Sequence, residues 1–73
     1  MPLDEFARCI LEKLSQTPMG PDKMTTLCCG GSSRLTSPRL TWLEGLGMIE
    51  NLGTGSYGIT SVGKKFLKSL AED

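Results

Sequence analysis

The middle of the chain carries a group of side chains whose chemistry suits an anionic partner. Between Asp22 and Glu44 there is no carboxylate, whereas arginine, serine and threonine are frequent there. Arginine holds a phosphate or reads guanine, and serine and threonine hydroxyls donate to phosphate oxygens. The candidates are Ser32, Ser33, Arg34, Ser37, Arg39 and Thr41. They predict a phosphate-contacting surface, although a solvated helix face and ordinary turns use the same residue types.

Two further groups of polar side chains follow nearer the C-terminus. Thr54 and Ser56 alternate with glycines in a predicted turn, where hydroxyls and backbone amides both suit phosphate oxygens. The last predicted helix carries a basic face formed by Lys64, Lys65 and Lys68. That face fits either solvent or backbone phosphates, and phosphate contacts would make binding steeply dependent on salt. The turn has no lysine or arginine, so we expect no strong insertion into a minor groove.

The charge of the chain is balanced in total but uneven along its length. Eight basic residues match eight acidic ones, which gives a formal net charge of zero. Residues 1–22 carry −2 (four acids, two bases), residues 23–71 carry +4 (six bases, two acids), and the last two residues are acidic. A strong nonspecific nucleic-acid binder is usually basic overall, and this chain is not. The distribution favours an anionic partner for the middle and the end of the chain.

The residue types that catalysis or metal binding requires are scarce in the sequence. There is no histidine, and no nucleophile stands beside a plausible base. The Gly30-Gly31-Ser32-Ser33 run lacks the lysine and the preceding strand of a phosphate-binding loop. Cysteines without CxxC spacing make a poor zinc site. We therefore expect no enzyme activity, no cofactor and no metal ion.

The three cysteines are Cys9, Cys28 and Cys29. An odd number with an adjacent pair predicts no intramolecular disulfide framework. The simplest interpretation makes Cys9 and Cys28 small buried apolar residues. The alternative is a redox-sensing or intermolecular thiol at Cys29, but only Lys23 lies near enough in sequence to lower a thiol pKa there.

The length of 73 residues predicts one small domain, residues 1–73. Such a domain buries only about 60% of the surface of its unfolded chain, so dimerisation would add useful stability. No apolar run approaches the ~20 residues that span a bilayer, and the acidic N-terminus does not resemble a targeting signal. These features predict a cytoplasmic protein without membrane contacts and a homodimer as one form of assembly.

The first half of the chain has the pattern of three short helices. Asp4 caps a helix over residues 4–15 with an apolar stripe at helical spacing, and residues 17–21 form an extended linker. A second helix over residues 21–29 directs Met24, Leu27 and Cys28 inward. Because proline lacks an amide hydrogen, we expect a turn over residues 33–37. Ser37 then caps a third helix over Pro38–Leu46.

The second half predicts a hairpin followed by a helix. Gly47 ends the third helix in a left-handed conformation, and strands 48–52 and 56–59 flank a three-residue glycine turn. Thr60 caps the last helix, in which Gly63 indicates close backbone packing against the hairpin or the first helix. We expect Trp42 in the core, with a base-stacking platform as the alternative; on the third helix either Arg39 extends outward from the first turn or Trp42 lies at the periphery of the core.

Two motifs in this half resemble those of small archaeal winged helix-turn-helix DNA-binding proteins. They are LxxLxxLGMIE, residues 40–50, and YGITSVGKKFL, residues 57–67. The resemblance implies an α+β winged helix-turn-helix with a three-helix core, a two-stranded hairpin wing and a C-terminal helix. It also implies double-stranded DNA as partner, with the third helix in the major groove, and a role in transcription regulation or DNA architecture. The alternative is a winged helix that binds proteins without nucleic acid, which zero net charge and a lysine-free wing keep open.

Overall fold

The computed structural model of the protein describes residues 4–71, which form an α+β domain of four helices and one antiparallel hairpin. The three helices of the first half and the hairpin surround a shared core, and the last helix packs on α1 and β2. This order is compatible with a winged helix. The elements are α1 Glu5–Gln16, α2 Pro21–Cys28, α3 Ser33–Gly45, β1 Ile49–Asn51, β2 Tyr57–Ile59 and α4 Ser61–Ala71.

Helix α1 confirms its predicted cap and buried stripe. The Asp4 side chain accepts a hydrogen bond from the Ala7 amide at 2.9 Å, which satisfies one unpaired donor of the first turn. Four apolar residues at helical spacing are buried along one face: Ala7, Ile10, Leu11 and Leu14. This helix is therefore the central support against which the other helices pack.

Helix α2 begins at Pro21 as predicted, but it turns a different face to the core. Met24 is buried and Cys28 half-buried, whereas Leu27 is 49% exposed, so the inward orientation predicted for Leu27 is wrong. Thr25 and Cys28 make contacts to α3 and α1, and together with Met24 they span one arc of the helix. At about 100° per residue, Leu27 falls outside that arc.

Helix α3 differs most from the prediction, because it begins at Ser33 and contains Pro38 in its interior. The turn predicted over residues 33–37 and the helix start at Pro38 are therefore wrong. Pro38 removes one amide hydrogen bond, to the carbonyl of Arg34, and both residues are solvent-exposed. The buried side chains of Thr36, Leu40 and Leu43 hold the opposite face of the helix in place. Tertiary packing thus outweighs the local cost of the proline.

The end of α3 and the hairpin follow the glycine pattern of the sequence. Gly47 has φ of +77°, and the amides of Gly47 and Met48 donate to the carbonyls of Glu44 and Leu43, each at 3.0 Å. This is the double hydrogen bond of a Schellman motif. In the hairpin Ile49 faces Ile59, and the Leu52 amide donates to the Ser56 carbonyl around the three-residue turn. The predicted hairpin is confirmed.

The junction between the hairpin and α4 is tightly packed. Thr60 caps α4 by accepting from the Gly63 amide at 3.1 Å, and its hydroxyl donates to the Gly47 carbonyl at 2.5 Å. A Cβ atom on Gly63 would overlap the Met48 carbonyl oxygen and come within 2.8 Å of Ile59 Cγ1. The predicted close packing of Gly63 is confirmed, with the base of the hairpin as the neighbour.

The linker between α1 and α2 joins the hairpin. The Met19 amide donates to the Tyr57 carbonyl at 3.2 Å, and the Tyr57 amide donates back to the Met19 carbonyl at 2.8 Å. Met19 is buried and Tyr57 packs against the core. The extended linker predicted from its prolines therefore also forms an isolated antiparallel bridge with β2.

The cysteine pairing departs from the prediction. Cys9 of α1 and Cys28 of α2 form a disulfide with their Cα atoms 5.7 Å apart, so the expectation of no intramolecular disulfide is wrong. Spacing along the chain did not predict this bond because it depends on how α2 crosses α1. Cys29 keeps a free thiol and is 3% exposed.

Candidate nucleic-acid interface

The exposed side of α3 carries most of the polar side chains that the sequence singled out. Ser33, Arg34, Ser37 and Thr41 are all exposed, and the spacing of the last three places them along one side of the helix. Apart from Arg34 these side chains are small, and Gly45 continues the same side. The structure therefore brings these residues together on one helical surface, with one cation near its N-terminal end and with exposed Pro38 and Glu44 on the same side.

The N-terminus of α3 adds backbone donors to this surface. The first amides of a helix have no partner within the helix, and they carry a partial positive charge. Ser32 stands at the cap position with a half-buried side chain that makes no capping hydrogen bond. The preceding Gly30 and Gly31 have φ of +60° and +87°, which lets the chain turn sharply from α2 into α3.

A hydroxyl pair fixes α3 against α2. Thr36 is 1% exposed, and its Oγ1 lies 2.8 Å from Oγ1 of Thr25 and 3.3 Å from the Ser32 carbonyl oxygen. A buried hydroxyl costs free energy unless it is hydrogen-bonded, so this pair favours one relative orientation of the two helices. Neither threonine stands out in the sequence, because neither position shows which helix it will face.

Arg39 lies apart from the exposed surface of α3. Its guanidinium is bidentate to the carboxylate of Asp4 and donates to the Leu35 carbonyl at 2.8 Å. It also lies over the ring of Phe6, with Cζ 5.0 Å from the centroid. The side chain is only 14% exposed. Arg39 therefore ties α3 to the start of α1.

The Asp4–Arg39 pair shifts the ionisation of both partners. Hydrogen bonds from Arg39 and then from the Ala7 amide lower the pKa of Asp4 from 3.8 to about 2. The Asp4 carboxylate in turn raises the pKa of Arg39. The two residues are 35 positions apart in the chain. Local sequence therefore indicates Asp4 only as a helix cap.

The hairpin presents polar groups without charge at its tip. Thr54 is exposed and Ser56 half-buried, and the Asn51 side chain accepts from the Gly53 amide at 2.8 Å. Gly53 and Gly55 both have φ near +80°. The tip is a compact turn that offers hydroxyls and amides to a partner.

The lysines of α4 form a separate surface. Lys64, Lys65 and Lys68 are exposed, while Phe66 and Leu67 pack toward the core. Lys64 lines a cleft of about 270 Å³ between the end of α1, the hairpin and α4, and Glu50 lines the same cleft. Since α4 packs on α1 and β2, this basic surface does not continue the exposed side of α3.

Comparison with known proteins adds no family to this description. No protein-family model matches the chain, and no curated protein or solved structure matches it significantly. Within residues 4–71, three or more Cys, Asp or Glu side chains do not gather at any place suited to a metal ion. No helix in this part of the chain has the length and apolar character needed to cross a membrane.

Proposed function

We propose that this protein is a winged helix-turn-helix DNA-binding protein, in which α2, the Gly30-Gly31 turn and α3 form the helix-turn-helix. The observation that carries the proposal is the exposed side of α3, where small hydroxyl side chains lie beside one arginine near the N-terminus of a helix whose other side is buried. The protein would act in the cytoplasm, either as a transcription regulator or as an architectural protein that shapes DNA.

The dimensions of α3 suit a major groove. Arg34 and Thr41 are seven positions apart, which corresponds to about 10 Å of helix or about three base pairs. Small side chains at Ser37 and Thr41 let the helix backbone approach the base edges closely, and their hydroxyls suit bases or phosphates. Arg34 and the first amides of α3 would then contact the backbone at the groove edge.

The wing and α4 would add contacts to the phosphate backbone. Thr54 and Ser56 offer uncharged donors, and Lys64, Lys65 and Lys68 offer cations that would bind counterion-rich DNA in a salt-dependent manner. Arg39 has a different role in this proposal from the base or phosphate contact that its sequence position predicts. Held by Asp4, it positions α3 on α1.

A second function has a specific observation in its favour. Several large apolar side chains are about half exposed, and a protein partner would cover them more readily than DNA would. They are Leu27, Leu46, Leu52 and Val62. In this alternative the winged helix binds a protein, or a second copy of itself, without nucleic acid.

Fluorescence anisotropy with a mixed-sequence 25-base-pair duplex at about 50 and 200 mM salt tests the proposal. We expect binding at the lower salt and a fall in affinity at the higher. Arg34→Ala should weaken binding and reduce the log–log salt slope by about one. Arg8→Ala is the matched control, because Arg8 is also exposed but lies on α1, where it pairs with Glu12.

The outcomes separate the two functions. Absence of binding at about 50 mM salt would refute the DNA proposal and favour the protein-binding alternative. Equal losses in the two arginine variants would show that α3 is not the docking surface. Sedimentation at two protein concentrations measures whether the predicted homodimer forms.

A further inference from the structure

The disulfide lies close to the turn that leads from α2 into α3. It joins Cys9, in the middle of α1, to Cys28, the last residue of α2. Helix α2 has eight residues, of which only Met24 is fully buried. Helices this short are unstable by themselves, so α2 depends on its attachments. The disulfide is the covalent one, and the Gly30-Gly31 turn into α3 follows almost at once.

The two bonded cysteines differ from the third cysteine in exposure. Cys9 and Cys28 are half-buried, whereas the neighbouring Cys29 is 3% exposed. Thiol–disulfide exchange requires access of an attacking thiolate to one sulfur of the bond. The partial exposure of Cys9 and Cys28 is compatible with exchange at their bond, and burial shields the Cys29 thiol from the same reagents.

The proposed function places this bond in a reducing compartment. A protein that binds DNA in the cytoplasm works among reduced thiols, where disulfides are rare and are usually transient or redox-sensing, intracellular proteins of hyperthermophiles excepted. We propose that Cys9 and Cys28 form a reversible dithiol–disulfide site whose oxidised form holds α2 and the start of α3 in the DNA-binding arrangement. The second half of this statement rests on the proposed function.

The reaction is an exchange with an external dithiol. A thiolate of that dithiol attacks one sulfur of the pair, the protein S–S bond breaks, and the other cysteine leaves as a thiolate. The second thiol of the reagent then attacks the mixed disulfide and releases the first cysteine. The protein gains two electrons and two protons, and the dithiol becomes a disulfide; oxidation is the reverse.

Reduction removes a cross-link between two cysteines that lie 19 positions apart in the sequence. Met24 and the Thr25–Thr36 hydroxyl contact then remain as the main attachments of α2. Loss of the cross-link should lower the melting temperature by roughly 10–20 °C for a domain of this size. If the binding-competent fraction falls below about one tenth, the apparent Kd for DNA rises at least about tenfold.

The test compares the whole chain equilibrated with oxidised glutathione and with dithiothreitol. Mass shifts after denaturation and maleimide labelling should give one free thiol in the oxidised sample and three in the reduced one. Hydrogen exchange should rise on reduction in α2 and the first turn of α3, with little change in β1 and β2. Anisotropy with the 25-base-pair duplex measures the change in Kd.

Two variants separate the pair from the third thiol. Cys9→Ala/Cys28→Ala should behave like the reduced protein under both conditions, and Cys29→Ala should keep the full redox response. Three free thiols after oxidation, or a rate of hydrogen exchange in α2 that does not change on reduction, would overturn the proposal of a redox site. Equal Kd values for the two forms would overturn the control of binding. If neither form binds DNA, the proposed function fails, and the free-thiol count and hydrogen exchange then decide the redox site.

Discussion

The substitution Asp4→Asn separates the charge of Asp4 from its capping role. Asparagine caps helices about as well as aspartate, so the hydrogen bond from the Ala7 amide is retained. The substitution removes the negative charge that faces Arg39 across α1 and α3. We therefore expect a loss of stability from the broken ion pair and only a minor effect on the start of α1.

The lowered pKa of Asp4 sets the size of this loss. A fall from 3.8 to about 2 corresponds to at most about 2.5 kcal/mol at 1.36 kcal/mol per pKa unit. The Asp4 side chain is 33% exposed, so solvent screening reduces the figure. We expect Asp4→Asn to lower the free energy of unfolding by about 1–2 kcal/mol at pH 7.

The same shift fixes how the loss depends on pH. Because the folded-state pKa lies below the unfolded value, the stabilisation is fully present above about pH 5 and disappears as the pH falls toward 2. At pH 3 the difference between the wild-type protein and Asp4→Asn should be about half of that at pH 7. Urea unfolding followed by the fluorescence of Trp42, the single tryptophan, measures both values.

Two controls make the experiment decisive. Glu5→Gln removes an equal charge from the first turn of α1 without touching Arg39, so its cost should be smaller. The double variant Asp4→Asn/Arg39→Gln closes a mutant cycle that isolates the coupling of the pair. If Asp4→Asn costs no more than Glu5→Gln at pH 7, or if its cost does not shrink at pH 3, the reasoning about this pair is wrong.

Four further substitutions test the backbone of the fold, each by urea unfolding. Pro38→Ala should stabilise by about 1–2 kcal/mol because it restores a hydrogen bond inside α3; no gain would mean that α3 starts at Pro38. Gly63→Ala should cost more than 2 kcal/mol because its Cβ would overlap the Met48 carbonyl, and a cost below 1 kcal/mol would contradict that contact. Gly47→Ala should cost about 1 kcal/mol because of its positive φ, whereas Gly45→Ala, an open helical site, should be neutral or stabilising.

Local signals predicted the parts of the fold that depend on local physics. Asp4, Gly47 and Thr60 mark their helix ends through capping rules that involve residues at most a few positions away. The hairpin follows from its three-residue glycine turn. The absent side chain of Gly63 indicated a close approach before the neighbour was known. Each of these predictions is confirmed because the determining contact lies close in sequence, or because glycine inside a helix is destabilising and therefore marks a close approach.

Long-range contacts account for the predictions that failed. Pro38 argued for a helix start, but the buried side of α3 extends the helix past it. The Cys9–Cys28 bond and the Asp4–Arg39 pair join residues that no local pattern connects. In the candidate interface, the sequence predicted the residue types on α3, but it could not show that Arg39 is held by α1 while Arg34 is exposed. Packing, and not residue type, assigns the two arginines to different roles.

The hydrogen bonds between Met19 and Tyr57 give the hairpin a second support. A two-stranded hairpin is marginally stable alone and can swing about its base, but the backbone of Tyr57 is clamped to the segment that precedes α2. The hairpin and the α1–α2 junction are therefore joined directly through their backbones. A partner that displaces the hairpin would have to break these hydrogen bonds or shift the segment that leads into α2.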